Sequence, residues 1–102
     1  MNFLAIDDEP LCLDDLRFAL EDAAPGCTCA CFSSPSRALE QARTEPFDAA
    51  FLDIEMGGAN GLALAKQLKD LQPDLHIIFV TGYEKYAVSA FAIHASGYLL
   101  KP

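Results

Sequence analysis

Five short apolar runs recur along the chain, at residues 2–6, 27–32, 47–52, 75–80 and 98–100, with helix-like stretches between them. The runs are largely continuous. Strict apolar–polar alternation marks a strand with one wet face; an unbroken run marks a strand buried on both faces, as in a parallel sheet. Helical spacing follows in the gaps. After Pro10, Leu13, Leu16 and Leu20 recur with Cys12, Ala19 and Ala23 behind them, and Pro25-Gly26 ends the period. Ser33-Ser34-Pro35-Ser36 reads as a turn into a short helix over 36–44, with Leu39 and Ala42 inward and Pro46 as its stop. Leu64, Leu68 and Leu71 mark the next helix, closed by Gln72-Pro73. A weakly amphipathic helix is expected over 84–93, with Ala87 and Phe91 as its inward pair. Residues 57–61, Gly-Gly-Ala-Asn-Gly, read as a flexible loop.

Strand and helix in repeated alternation require right-handed crossovers, which place helices on both faces of one sheet. The expected class is α/β: a flavodoxin-like, doubly wound, five-stranded parallel sheet in the order 2-1-3-4-5. The order comes from the fold class, not from the residues. At 102 residues the chain fits one domain.

Composition narrows the function. A hydrophobic content of 52% is too high for a disordered segment. No apolar run approaches the ~20 residues of a membrane span, and no membrane association is expected. The opening residues lack the basic region of a signal peptide, so a cytoplasmic protein is expected. A net charge of −8 repels nucleic acid, so this segment is not expected to bind DNA directly.

In a parallel sheet all carboxyl ends lie at one edge, where functional groups gather. Asp7 and Asp8 follow the first run, Asp53 ends the third, Thr81 the fourth and Lys101 the fifth. Alone, each has a plain explanation as a helix cap or a surface group. Together, four strands deliver polar residues to one rim. Crowded carboxylates need a counter-charge, and Mg2+ suits an all-oxygen donor set. A carboxylate nucleophile, a hard cation, a lysine and a hydroxyl are also what phosphoryl transfer to an acid requires.

With these motifs in place, the chain resembles the receiver domains of two-component response regulators over essentially its whole length. The matching segments are Ile6-Asp7-Asp8-Glu9-Pro10, Phe51-Leu52-Asp53-Ile54-Glu55-Met56, Asn60-Gly61, Phe79-Val80-Thr81-Gly82 and Tyr98-Leu99-Leu100-Lys101-Pro102. The resemblance implies that Asp53 is the phosphate acceptor. Asp8 would ligate Mg2+ directly, Asp7 mainly through water, and Glu55 through its backbone carbonyl. Thr81 and Lys101 would bind the phosphoryl group, with Tyr98 as an aromatic switch and a cis bond between Lys101 and Pro102. A histidine kinase is the implied donor. The stretch from Tyr83 to Pro102 is similar to receivers attached to LytTR-type DNA-binding domains, which implies that DNA is reached only through an output domain absent from this chain.

Two departures stand out. Gly57 occupies a position where the family usually has proline, which implies a looser loop beside the acceptor. The family also continues into a fifth helix, whereas this sequence stops at Pro102. A receiver over residues 1–102, truncated before that helix, is therefore expected to leave apolar sheet open and to form a homodimer, swap an element or be marginally stable.

Other features have plainer readings. Cys27, Cys29 and Cys31 share one face of a strand, yet three thiols in a row make a poor tetrahedral cage, and small apolar packing explains them. His76 and His94 lie away from the rim. Tyr83, Tyr86 and Phe91 serve a partner face or ordinary packing. Gly57-Gly58 lacks the lysine and hydroxyl of a phosphate loop. An aspartyl-nucleophile phosphatase of the haloacid dehalogenase kind wants acids spaced Asp-x-Asp after its first strand, whereas Asp7 and Asp8 are adjacent. A receiver-like interaction module that takes no phosphate is the remaining alternative.

Overall fold

The computed structural model describes residues 1–101. The expected cis bond to Pro102 therefore lies outside the described residues. Strands β1 (Asn2–Ile6), β2 (Thr28–Phe32), β3 (Ala49–Leu52), β6 (His76–Thr81) and β7 (Gly97–Leu100) form one sheet. Its order is β2-β1-β3-β6-β7, and every pairing is parallel. With the two-residue hairpin strands β4 (Glu55–Met56) and β5 (Ala59–Asn60) set aside, this is the expected 2-1-3-4-5 order. Helices α1 (Pro10–Ala23), α2 (Pro35–Ala42), α3 (Gly61–Leu71) and α4 (Ala87–Ala92) connect them, the last preceded by a 3-10 turn, Glu84–Tyr86. No helix among the described residues is long and apolar enough to cross a membrane.

The main core lies on the sheet face covered by α2, α3 and α4. Leu4, Ile6, Ala50, Leu52, Ile77 and Phe79 point into it and meet Ala38, Leu64, Ala65, Leu68 and Ala90. Leu52 and Phe79 are fully buried, so truncating either to alanine costs about 2–5 kcal/mol. The opposite face is covered by α1 only over β1 and β2. Beyond that cover, Phe51, Ile78 and Val80 are half-buried and Leu99 is 55% exposed. Among the described residues, apolar sheet surface is thus exposed on this side.

Two local expectations fail. Residues 57–61 are not a loop. Glu55–Met56 (β4) and Ala59–Asn60 (β5) pair antiparallel, joined by Gly57 and Gly58 at φ of +49° and +91°. Positive φ at both central residues is what the tightest hairpin turns demand, so the glycine pair builds a turn instead of loosening a loop. The second failure is in α4. Phe91 is 83% exposed and Ala87 is also exposed, while Ala90 is the buried residue of that helix. Bulk and apolarity suggested Phe91, but this short helix turns Ala90 to the core instead, with Tyr86 and Ile93 packing on either side of it.

Candidate functional site

Asp7, Asp53 and Lys101 are each held by the strand beside them. The Asp7 N–H donates to the Phe32 carbonyl (3.2 Å), the Asp53 N–H to the Ile6 carbonyl (3.2 Å) and the Lys101 N–H to the Thr81 carbonyl (2.8 Å). These bonds extend the parallel ladders one step past the strand ends, so the sheet itself positions the site. Among the described residues, Asp7, Asp8 and Asp53 form one cluster of potential metal ligands, each with a carboxylate oxygen within 4.8 Å of the others. Asp7 and Asp53 are buried and Asp8 is exposed.

Lys101 ties the buried acids together. Its Nζ donates to Asp7 Oδ2 and to Asp53 Oδ2, each at 2.8 Å. Burial alone would depress the lysine's pKa. Its hydrogen bonds to Asp53 and Asp7, with their charges, outweigh burial and hold the ammonium well above its ordinary range. The remaining oxygens are partly satisfied from the backbone: Asp53 Oδ1 accepts from the Ile54 N–H (2.7 Å) and Asp7 Oδ1 from the Glu9 N–H (3.0 Å).

The oxygen cluster fits a hard divalent cation. Octahedral Mg2+ with bonds of about 2.1 Å sets its oxygens about 3–4 Å apart, within the spread of the three carboxylates. Thr81 is fully buried, and its Oγ1 has no hydrogen-bond partner among the described residues. Native proteins rarely leave a buried hydroxyl unsatisfied, so this one is suited to an acceptor that arrives with a ligand. Tyr98 packs its ring at a tilt against Phe79, centroids 6.3 Å apart, and its hydroxyl donates to the Tyr83 carbonyl.

Of the expected site residues, Asp7, Asp8, Asp53 and Lys101 come together, Thr81 adjoins them through its backbone bond to Lys101, and the Tyr98 hydroxyl is engaged with Tyr83 instead. His76 and His94 are elsewhere, as expected: His76 Nδ1 pairs with Ser96 Oγ (2.9 Å), and His94 sits at positive φ at the end of α4. Two site residues escaped sequence reasoning. The Tyr86 hydroxyl donates to Glu55 Oε2 (2.7 Å), tying the 3-10 turn to the hairpin. Gly61 opens α3 directly against the acceptor, where an added Cβ would lie 2.0 Å from the Asp53 carbonyl oxygen. Its place in Asn60-Gly61 was visible, but only the packing shows why a side chain is barred there. Asn60 caps the same helix, its side chain accepting from the Leu62 N–H (2.8 Å).

Comparison with known proteins agrees with this geometry. The family profile described as response regulator receiver domain matches residues 3–102. The sensory transduction protein LytR of Staphylococcus epidermidis is 38% identical over 104 residues, covering 100% of this chain and 40% of that protein. The chain thus spans about two fifths of the length of the curated relatives it matches. Among solved structures, the response regulator TrrA of Thermotoga maritima, in complex with Mg2+-BeF, superposes with a TM-score of 0.86 at 30% identity, covering 99% of this chain and 86% of that one. A Burkholderia pseudomallei response regulator with a phosphorylated aspartic acid, calcium and citrate is 37% identical at a TM-score of 0.84, covering 99% of this chain and 59% of that one.

Proposed function

The chain belongs to the response regulator receiver domain family, and from that membership we propose that Asp53 accepts a phosphoryl group from a histidine kinase. The observation that carries this reading is Lys101, bridging Asp53 and Asp7 at 2.8 Å beside the exposed carboxylate of Asp8. An Asp53 oxygen attacks phosphorus. The P–N bond of the donor phosphohistidine breaks, and the imidazole nitrogen keeps the electron pair and takes up a proton. Lys101 moves from Asp53 toward a phosphoryl oxygen, and the unpartnered Thr81 hydroxyl donates to another. Mg2+ would be held by Asp8, Asp53 and the Glu55 carbonyl, with Asp7 acting through water, and it supplies the counter-charge for the phosphoryl oxygens.

The chain acts on no separate substrate in this reading; it catalyses only its own phosphorylation. As Thr81 turns toward the phosphoryl group, Tyr98 releases the Tyr83 carbonyl and moves inward, biasing an existing equilibrium. The readout is homodimerisation and control of a LytTR-type output domain outside this chain, which alone contacts DNA. The open strip of Phe51, Ile78, Val80 and Leu99 is where the resemblance places a fifth helix, and that helix belongs to the proposal. Labelling with acetyl phosphate and Mg2+ tests the core of it. The wild type should gain one hydroxylamine-labile phosphoryl group and Asp53→Asn none. Label retained in Asp53→Asn would place the acceptor elsewhere.

A further inference from the structure

Strand β2 lies at the sheet edge and carries Cys29 and Cys31 on one face, their sulfurs 3.8 Å apart. We propose that Cys29 and Cys31 form a two-thiolate binding site for a soft, closed-shell cation of the Cu(I) class. The two sulfurs face each other at hydrogen-bonding distance, an arrangement that also presents both to one ion.

A disulfide fits poorly. Residues i and i+2 of one strand stand about 6.6 Å apart at Cα, the far end of the disulfide range. Their Cβ atoms stay similarly distant, where a disulfide needs about 3.8 Å. A bridging ion removes that constraint. Two metal–sulfur bonds of about 2.3 Å let the sulfurs lie up to about 4.6 Å apart, so 3.8 Å lies within reach. Zinc is disfavoured because it wants four ligands. The cluster of three or more ligating groups found among the described residues is Asp7, Asp8 and Asp53, which does not include these thiols. Copper(I) prefers soft thiolates and is satisfied by few of them. Cys27 lies further along the same face, its Sγ on the Leu20 carbonyl (3.8 Å).

Without an ion the Cys29 thiol is held protonated. Burial first, then the charge of Cys31 and its hydrogen bond, push the Cys29 thiol up to about 12. A bound cation reverses those interactions and displaces both protons. Because the pair is half-buried on an edge strand, an ion can enter without opening the sheet.

The experiment is anaerobic titration of the reduced chain with Cu(I) against a chromogenic Cu(I) chelator. The expected result is one equivalent bound, with apparent affinity rising about 100-fold per pH unit as two protons leave. Cys29→Ser and Cys31→Ser should each weaken capture by more than about 100-fold, beyond the usual effect of an outer-shell change. Cys12→Ser should leave it intact. Far-UV circular dichroism checks each fold, and Cys29→Ala substitutes for a serine variant that fails to fold. Wild-type capture no tighter than that of the Cys29→Ser, Cys31→Ser double variant would overturn the proposal. So would capture that depends on Cys12, or a Cys29–Cys31 disulfide formed with oxidised glutathione.

Discussion

Replacing Lys101 with methionine keeps most of the side chain's stem and removes its charge. Lys101 Nζ lies 2.8 Å from an oxygen of Asp7 and 2.8 Å from one of Asp53. These acids are only 4% and 7% exposed. At an effective dielectric near 20, each attraction is worth roughly 6 kcal/mol before desolvation. Desolvation and the mutual repulsion of the acids absorb most of that. Removing one partner of a buried ion pair typically costs about 3–5 kcal/mol, because the remaining charges lose their compensation. A loss of 3 kcal/mol lowers the urea midpoint by roughly 1–3 M. With no tryptophan in the chain, far-UV circular dichroism is the suitable probe.

The cation site adds a discriminating arm. Mg2+ at about 100 times its Kd returns up to about 2.7 kcal/mol. It should return more to Lys101→Met, where nothing else neutralises the acids, than to the wild type. The pH dependence also has a definite sign. The lysine's pKa is raised above its ordinary 10.5, so the folded state holds this proton more tightly. Its contribution is complete below 10.5 and is lost as pH climbs through the raised value. The gap between wild type and variant should be flat near neutrality and close only in strong alkali. A variant as stable as the wild type without Mg2+, or equal stabilisation of both by Mg2+, would refute this electrostatic account.

Gly61→Ala forces a methyl group onto the Asp53 carbonyl, where its Cβ would lie at 2.0 Å. It should cost at least about 1–3 kcal/mol in thermal unfolding and slow acetyl phosphate labelling of Asp53; no change in either would show that the contact relaxes freely. Phe91→Ser should change stability by less than about 0.5 kcal/mol, while Ala90→Leu, at 1% exposure, should cost about 1–3 kcal/mol by overpacking. The reverse ranking would restore the Ala87–Phe91 inward face. Glu55→Gln should lower the ionisation of Tyr86 toward the ordinary tyrosine value, read by ultraviolet difference absorbance. Its hydrogen bond to Glu55, then burial and the Glu55 charge, hold that hydroxyl up; an unchanged titration would mean that the contact does not persist in solution.

The parts of this molecule legible in its sequence were those set by long-range regularity. A strand buried on both faces must be apolar throughout, so the five runs announced a parallel sheet. A parallel sheet must gather its carboxyl ends, so Asp7, Asp8, Asp53, Thr81 and Lys101 had to converge. What stayed hidden depends on distances between neighbouring chain segments, which no periodicity encodes. Gly57-Gly58 looked like slack because glycine permits many conformations; its role as a turn follows only once Glu55 pairs with Asn60 across it. Phe91 looked buried because helix patterning rewards bulk, but α4 spans only six residues and buries Ala90 alone. The first misreading falls on the hairpin just after the acceptor strand, which Tyr86 joins to the 3-10 turn through Glu55. The rim residues are held by sheet ladders and are rigid by construction. The hydroxyls of Tyr86 and Tyr98 are instead held by one hydrogen bond each, to Glu55 and to the Tyr83 carbonyl, and such contacts can be exchanged at little cost. A switch needs both kinds of part: a fixed site for the chemistry, and lightly held neighbours with two places to go.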